Sequence, residues 1–179
     1  CSDSSNIAYY YQQVGELFKE LGQTANWKSY LFLADSLSRN SEYAILKTRI
    51  AILNDLGGYY ASQGNYVKAE DAYNQMYELS VKEGYSQGLA IFLSNIVPIY
   101  KDQGRYPEAL ESALEAYQMA EKSEHLFHMM ARANLIGSLY TEMQNFVEAD
   151  EWYQKAILLS GGESFPKEHS QTLFGLSML

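Results

Sequence analysis

GNYVKAEDAY, residues 64–73, returns as GRYPEALESA at residues 104–113 and as QNFVEADEWY at residues 144–153. Aligned on the shared alanine, Ala69, Ala109 and Ala149 stand at one interval, since 109 − 69 and 149 − 109 both give 40. Tyr66, Tyr106 and Phe146 keep the same step, as do Tyr60, Tyr100 and Tyr140, and Leu56, Ile96 and Ile136. A fixed period within about 20–50 residues is the signature of a stacked array, in which each unit buries its apolar face against the next.

Each unit reads as two helices. In the stretch 50–62, Leu53, Leu56, Gly57 and Tyr60 recur at steps of three and four, one stripe of a helix. Gln63-Gly64-Asn65 ends it, because glycine takes the left-handed conformation of a helix terminus at little steric cost. A second helix starts near Tyr66 and sets Ala69, Tyr73 and Met76 inward. The next unit repeats the scheme with Leu93, Ile96, Val97 and Tyr100, then Gly104, Tyr106, Ala109, Ala113 and Ala116. The last full unit uses Ala133, Ile136, Gly137 and Tyr140, then Ala149, Tyr153 and Ala156. Two local conflicts stand out. Gln144 occupies the turn position held by Gly64 and Gly104, which should cost about 1 kcal/mol in a left-handed conformation. Pro98 falls inside a first helix, where it removes a backbone donor and should kink the helix.

These positions resemble the tetratricopeptide repeat (TPR) family, most strongly over residues 50–160. That family has a helix-turn-helix unit with Leu-Gly and Tyr in the first helix, then a turn glycine, an aromatic and alanines. Its usual unit is about 34 residues; the period here is longer. The resemblance implies an all-α fold, a right-handed superhelical array of antiparallel helix pairs with about nine helices. Residues 1–6 read as a polar tether and 7–179 as a single domain. Its units are a degenerate one at about 10–49, carrying Leu17, Phe18, Leu21, Trp27, Ala34 and Leu37, then 50–89, 90–129, 130–169 and a partial unit or cap at 170–179. Leu173, Leu176 and Leu179 give that last piece an apolar stripe, so it either caps the array or leads into a longer protein.

Composition narrows the function. The chain has 179 residues, 47% of them hydrophobic, enough for a continuous core, and a formal charge of −9. A net anion does not suit a phosphate backbone or an anionic membrane surface, so nucleic acid is excluded as a partner. No apolar run approaches the ~20 residues that span a bilayer. Cys1 is the single cysteine, which rules out an internal disulfide and a cysteine-based zinc site. Cys1-Ser2-Asp3-Ser4-Ser5 resembles the start of a mature bacterial lipoprotein, with Cys1 as the lipid attachment point. That resemblance implies a bacterial envelope protein facing the periplasm or exterior, touching membrane only through the lipid. A chance boundary at Cys1 and a cytoplasmic protein is the alternative.

Catalytic chemistry finds no foothold. His125 and His128 lie three apart beside Glu121 and Glu124, but sit at a connector and read as solvated. His169 is isolated, no serine has an evident base, and no glycine-rich phosphate loop occurs, so neither cofactor nor metal is expected. The many carboxylates, among them Glu70, Asp71, Glu148, Asp150 and Glu151, read as solvated outer faces of the second helices.

What remains is surface. In a stacked array the first helices line a concave wall. Positions rotated away from the Leu/Gly/Tyr stripe are the candidate binding residues: Asn54 and Gly58, then Ile91, Ser94, Pro98 and Lys101, then Asn134, Ser138 and Thr141, flanked by Ala51, Ala61 and Ala131. Asparagine both donates and accepts, so it can pair with the main chain of an extended peptide. TPR domains that hold chaperone C-termini use a cationic carboxylate clamp. With Lys101 as the only groove cation, that clamp is absent. The expected function is a non-catalytic scaffold binding a protein or peptide segment, in the envelope or as the sensory part of a larger signalling protein. A self-associating structural module, hence a homo-oligomer, is the second reading, and a small-molecule or glycan binder the third.

Overall fold

The computed structural model describes residues 3–39 and 46–161, with side chains from residue 7 onward. Among these residues it contains eight helices and no strand: α1 (Asp3–Glu20), α2 (Thr24–Arg39), α3 (Leu46–Ser62), α4 (Tyr66–Lys82), α5 (Ser86–Asp102), α6 (Tyr106–Lys122), α7 (Leu126–Glu142) and α8 (Phe146–Ser160). The fold is an all-α solenoid of antiparallel helix pairs. The expected ninth helix at 170–179 and the lipid candidate Cys1 lie outside the described residues. α1 begins at Asp3, inside the stretch 1–6 expected as a tether. Asp and Ser are favoured in a first helical turn, where they complement its unpaired N–H groups.

The 40-residue period resolves into two equal halves. α4 to α8 start at 66, 86, 106, 126 and 146, and three residues separate each helix from the next. The turns from α3 to α8 close alike. In each, the N–H of the third residue reaches the carbonyl five residues back, as in Asn65 to Tyr60 (2.9 Å), Tyr85 to Ser80 (2.8 Å), Arg105 to Tyr100 (2.8 Å), His125 to Ala120 (3.1 Å) and Asn145 to Tyr140 (2.9 Å). This is the Schellman closure, and it places the middle residue in the left-handed region. Gly64, Gly84 and Gly104 meet that demand freely, with φ of 69°, 63° and 71°. Gln144 meets it at φ 61°, as its place in the alignment implies, and so does Glu124 at φ 53°, forty residues after Gly84 in a turn outside the aligned motif. The first hairpin turns at Gly22, 42 residues before Gly64, so the degenerate unit runs two residues out of phase.

The described residues group into two compact units, one within Cys1–Phe92 and one within Leu93–Leu179, with α5 running through the boundary. In the first, Trp27, Leu31 and Ala34 of α2 pack with Ile52, Leu56 and Tyr59 of α3 and Ala72 of α4. In the second, Leu93, Ile96, Val97, Met130, Ala133, Ile136 and Leu139 are buried with the alanines of α6 and α8. Ala69, Ala109 and Ala149 have no exposed surface at all, which is why the repeat holds a small residue there.

Helix approach is set by paired sizes. A Cβ added at Gly57 would lie 2.5 Å from Tyr73 Cζ, and one at Gly137 would lie 2.8 Å from Tyr153 Cδ1. The corresponding pair in the middle unit is Val97 and Ala113, both buried. Bulk has moved from the second helix to the first while the pair stays filled. Gly58 differs from its neighbour: an added Cβ would meet only Tyr73 Oη, at 3.8 Å. α5 remains a single helix through Pro98.

Candidate functional site

The residues expected to line the wall are taken unit by unit. In the first unit Asn54 and Gly58 on α3 and Ile91 on α5 are all half-buried. Beside Asn54, α3 also carries Asp55, only 6% exposed, directed toward α1. Gln12 Nε2 donates to Asp55 Oδ2 at 3.2 Å, and Lys19 Nζ lies 3.4 Å from Oδ1 and 3.3 Å from Glu16 Oε1. Burial and the nearby Glu16 charge push the Asp55 carboxyl up from 3.8 to about 6, against the pull of Lys19 and Gln12. Burial pulls Lys19 down, but Asp55 and Glu16 together raise it above its ordinary value. Burial, then Asp55, pushes the Tyr73 phenol up to about 12.

A second buried carboxylate, Asp35 on α2, is held from two helices. Arg39 Nε approaches its oxygens at 3.1 and 3.0 Å, and Arg49 Nη1 of α3 stands 2.6 Å from Oδ1 and donates to Ser38 Oγ at 2.8 Å. Asp35 and Arg39 form part of a cleft of about 520 Å³ whose rim includes Phe32, Tyr60, Lys68, Asp71 and Gln75. The cleft belongs mainly to the second helices α2 and α4, not to the expected wall. Asp71, Glu148, Asp150 and Glu151 are exposed on second helices as expected and Glu70 is half-buried; Asp35 is the exception on a second helix, and Asp55 lies on a first helix. The Asp35–Arg39 spacing of four residues was the available signal.

In the second unit, the expected wall residues divide between those engaged internally and those presented. Arg132 Nη2 of α7 donates to Ser94 Oγ of α5 at 2.5 Å, and Lys101 Nζ lies 3.0 Å from Glu142 Oε1. Thr141 Oγ1 donates to the Gly137 carbonyl at 3.0 Å and lies 3.4 Å from Tyr153 Oη. Ser94, Lys101 and Thr141 therefore help knit α5, α7 and α8. Ser138 and Asn134 are half-buried and Pro98 is exposed. Asn134 Oδ1 is buried without a hydrogen-bond partner among the described residues. Lys101 is not the only cation on this row. Half-buried Arg132, its guanidinium pKa lowered by burial, stands with it. The sequence reading missed Arg132 because it lies one step outside the positions 131, 134, 138 and 141.

The histidine pair is exposed. His125 caps the start of α7, its ring centroid is 4.4 Å from that of His128, and burial, then the His125 and Arg132 charges, lower the His128 pKa. Among the described residues no group of three or more His, Cys, Asp or Glu side chains could hold a metal ion, and no helix is long and apolar enough to cross a membrane.

Comparison with known proteins agrees with this architecture. The solved structure of BtubC from P. vanneervenii superposes with a TM-score of 0.80 at 18% identity, over 97% of this chain and 71% of that one. Aspartyl phosphate phosphatase F from Bacillus subtilis gives 0.81 at 19% identity, over 98% of this chain and 45% of that one. A signal transduction ATPase with numerous domains and a tetratricopeptide repeat sensor, from Pyrococcus horikoshii, gives 0.77 at 17% identity, over 96% of this chain and 26% of that one. This chain thus spans less than half of the latter two proteins, and at such identities the likeness shows the fold alone. A sequence comparison with curated proteins returns no match. The tetratricopeptide repeat profile matches residues 48–122 and again residues 133–162, covering the Gly57–Tyr73 and Gly137–Tyr153 pairs and the turns between them. Repeats of this kind support a protein-interaction scaffold, and the chain belongs to the tetratricopeptide repeat family.

Proposed function

We propose that this chain is a non-catalytic scaffold that captures a protein segment or peptide in extended form on the first helices α5 and α7. One observation carries the reading. Asn134 holds a buried amide oxygen without a partner among the described residues, on helices where Ser94, Lys101 and Thr141 are already engaged. Turned toward the surface, the Asn134 side chain would accept from a main-chain N–H of a bound peptide, and its amide N–H₂ could donate to the adjoining carbonyl. The row is stiffened for the purpose. Arg132–Ser94 and Lys101–Glu142 tie α7 to α5, so little ordering remains for the bound state. A sensory setting draws support from the fold shared with the sensor-bearing ATPase.

The test is selection of peptides against the chain from a displayed library, followed by fluorescence anisotropy on wild type and on Asn134→Glu and Ser138→Glu. Circular dichroism checks that each variant stays folded. Binding should weaken at least about tenfold on Asn134→Glu, the loss of one buried hydrogen bond plus a mismatched charge. Selected peptides that bind both variants as tightly as wild type would remove the wall assignment.

A further inference from the structure

Along one stripe, α1 and Leu21 just beyond its end carry five large apolar side chains that the rest of the described structure leaves open. Ile7 is 41% exposed, Tyr10 64%, Val14 36%, Leu17 54% and Leu21 60%. They alternate at steps of three and four, the seven-residue seam of paired helices. A contiguous apolar stripe of this kind marks an interaction surface, whereas isolated exposed side chains do not. It is a separate face and not a loosened core, because Ala8 and Gln12 are buried on the other side of α1 and Tyr11 and Phe18 pack on the core of this unit. Aligning the turn at Gly22 with that at Gly64 sets Tyr10, Val14 and Leu17 on Ile52, Leu56 and Tyr59. Those α3 residues are the ones that join α2 in the core. α1 therefore displays the stacking face that α3 buries.

We propose that a second copy of this chain covers the stripe, with α1 packing antiparallel on α1 about a two-fold axis at Val14. The spacing is self-complementary. Ile7 meets Leu21, Tyr10 meets Leu17, and Val14 meets its own equivalent, the isologous contact of a closed dimer. The antiparallel sense keeps the two Glu20 carboxylates apart and sets each near the positive N-terminal end of the other helix. From the exposures above, each stripe offers roughly 500 Å², about 1,000 Å² for two copies, which reaches the lower limit for a specific interface. Each copy carries a charge of −9, so added salt screens the repulsion and should tighten the pair.

Sedimentation equilibrium of the Cys1→Ser chain tests this, over about 10–200 µM and at low and high salt. The expected mass rises from 20.4 kDa to twice that value, more readily in high salt. Leu17→Glu and Tyr10→Lys, both at exposed positions, should be monomeric with unchanged circular dichroism. Val14→Cys in the Cys1→Ser background should form a disulfide-linked dimer under mild oxidation. A chain that stays monomeric throughout, a dimer that survives both charged variants, or a dimer that Val14→Cys fails to cross-link would each overturn the proposal.

Discussion

Changing Gly57 to valine and Tyr73 to alanine would give α3 and α4 the residue pair that α5 and α6 already carry as Val97 and Ala113. Each single change should be costly. A side chain at Gly57 would put its Cβ 2.5 Å from Tyr73 Cζ and 2.7 Å from Cδ1, whereas carbon atoms pack at about 3.5–4.0 Å. The ring or the helix must yield by about 1 Å, an overpacking cost of about 1–3 kcal/mol, offset by a few tenths from the better helix propensity of valine. Tyr73→Ala empties a site that is only 4% exposed and should cost about 3–5 kcal/mol. In the double variant the clash has no partner and the valine methyls enter the vacated space. The double variant should therefore be more stable than Tyr73→Ala alone, with a coupling of about 1–3 kcal/mol. Urea unfolding measures this, followed by circular dichroism and by Trp27 fluorescence in a Trp152→Phe background, since Trp27 reports on the same unit. Effects that add to within about 0.5 kcal/mol would refute the paired-size account.

Three further outcomes follow from single positions. Glu124→Gly and Gln144→Gly should each raise stability by about 0.5–1 kcal/mol, because relief of a left-handed conformation at φ 53° and 61° exceeds the added entropy of glycine; thermal melts check it, with Gly64→Ala changing in the opposite sense. Asp55 holds its proton in the fold up to about pH 6 but only to about 3.8 when unfolded, so its contribution is fully present below 3.8 and is lost as pH rises through about 6. At about 1.36 kcal/mol per pH unit that gap is worth at most about 3 kcal/mol, and Asp55→Asn should flatten the stability profile between about pH 4 and 6.5. Asp35→Ala should cost about 3–5 kcal/mol in chemical unfolding, because it strands Arg49, whose side chain is only 14% exposed.

The repeat was legible because packing repeats the same demand every 40 residues. Ala69, Ala109 and Ala149 had to be small, Gly57 and Gly137 had to admit a tyrosine ring, and Gly64 and Gly104 had to turn left-handed. Glu124 was missed because its turn matches Gly84 and not the aligned motif, and nothing in a glutamate announces positive φ. Asp55 and Arg132 were missed for a different reason. Their burial depends on which neighbouring first helix each faces, through Lys19 in one case and Ser94 in the other, and periodicity within one helix does not encode that. Of the wall positions, Ser94 and Lys101 lie on α5 and Thr141 on α7, but their contacts with Arg132, Glu142 and Tyr153 are set by tertiary structure.

The central claim is that first-helix amides receive an extended peptide, and side-chain amide resonances test it most directly. A chain labelled with ¹⁵N-asparagine would be titrated with a peptide selected for binding. The account predicts that the Asn134 side-chain N–H₂ signals shift on binding and gain protection from solvent exchange. Saturable binding that leaves them unmoved while shifting resonances of the second helices, such as Asn74 on α4, would contradict it.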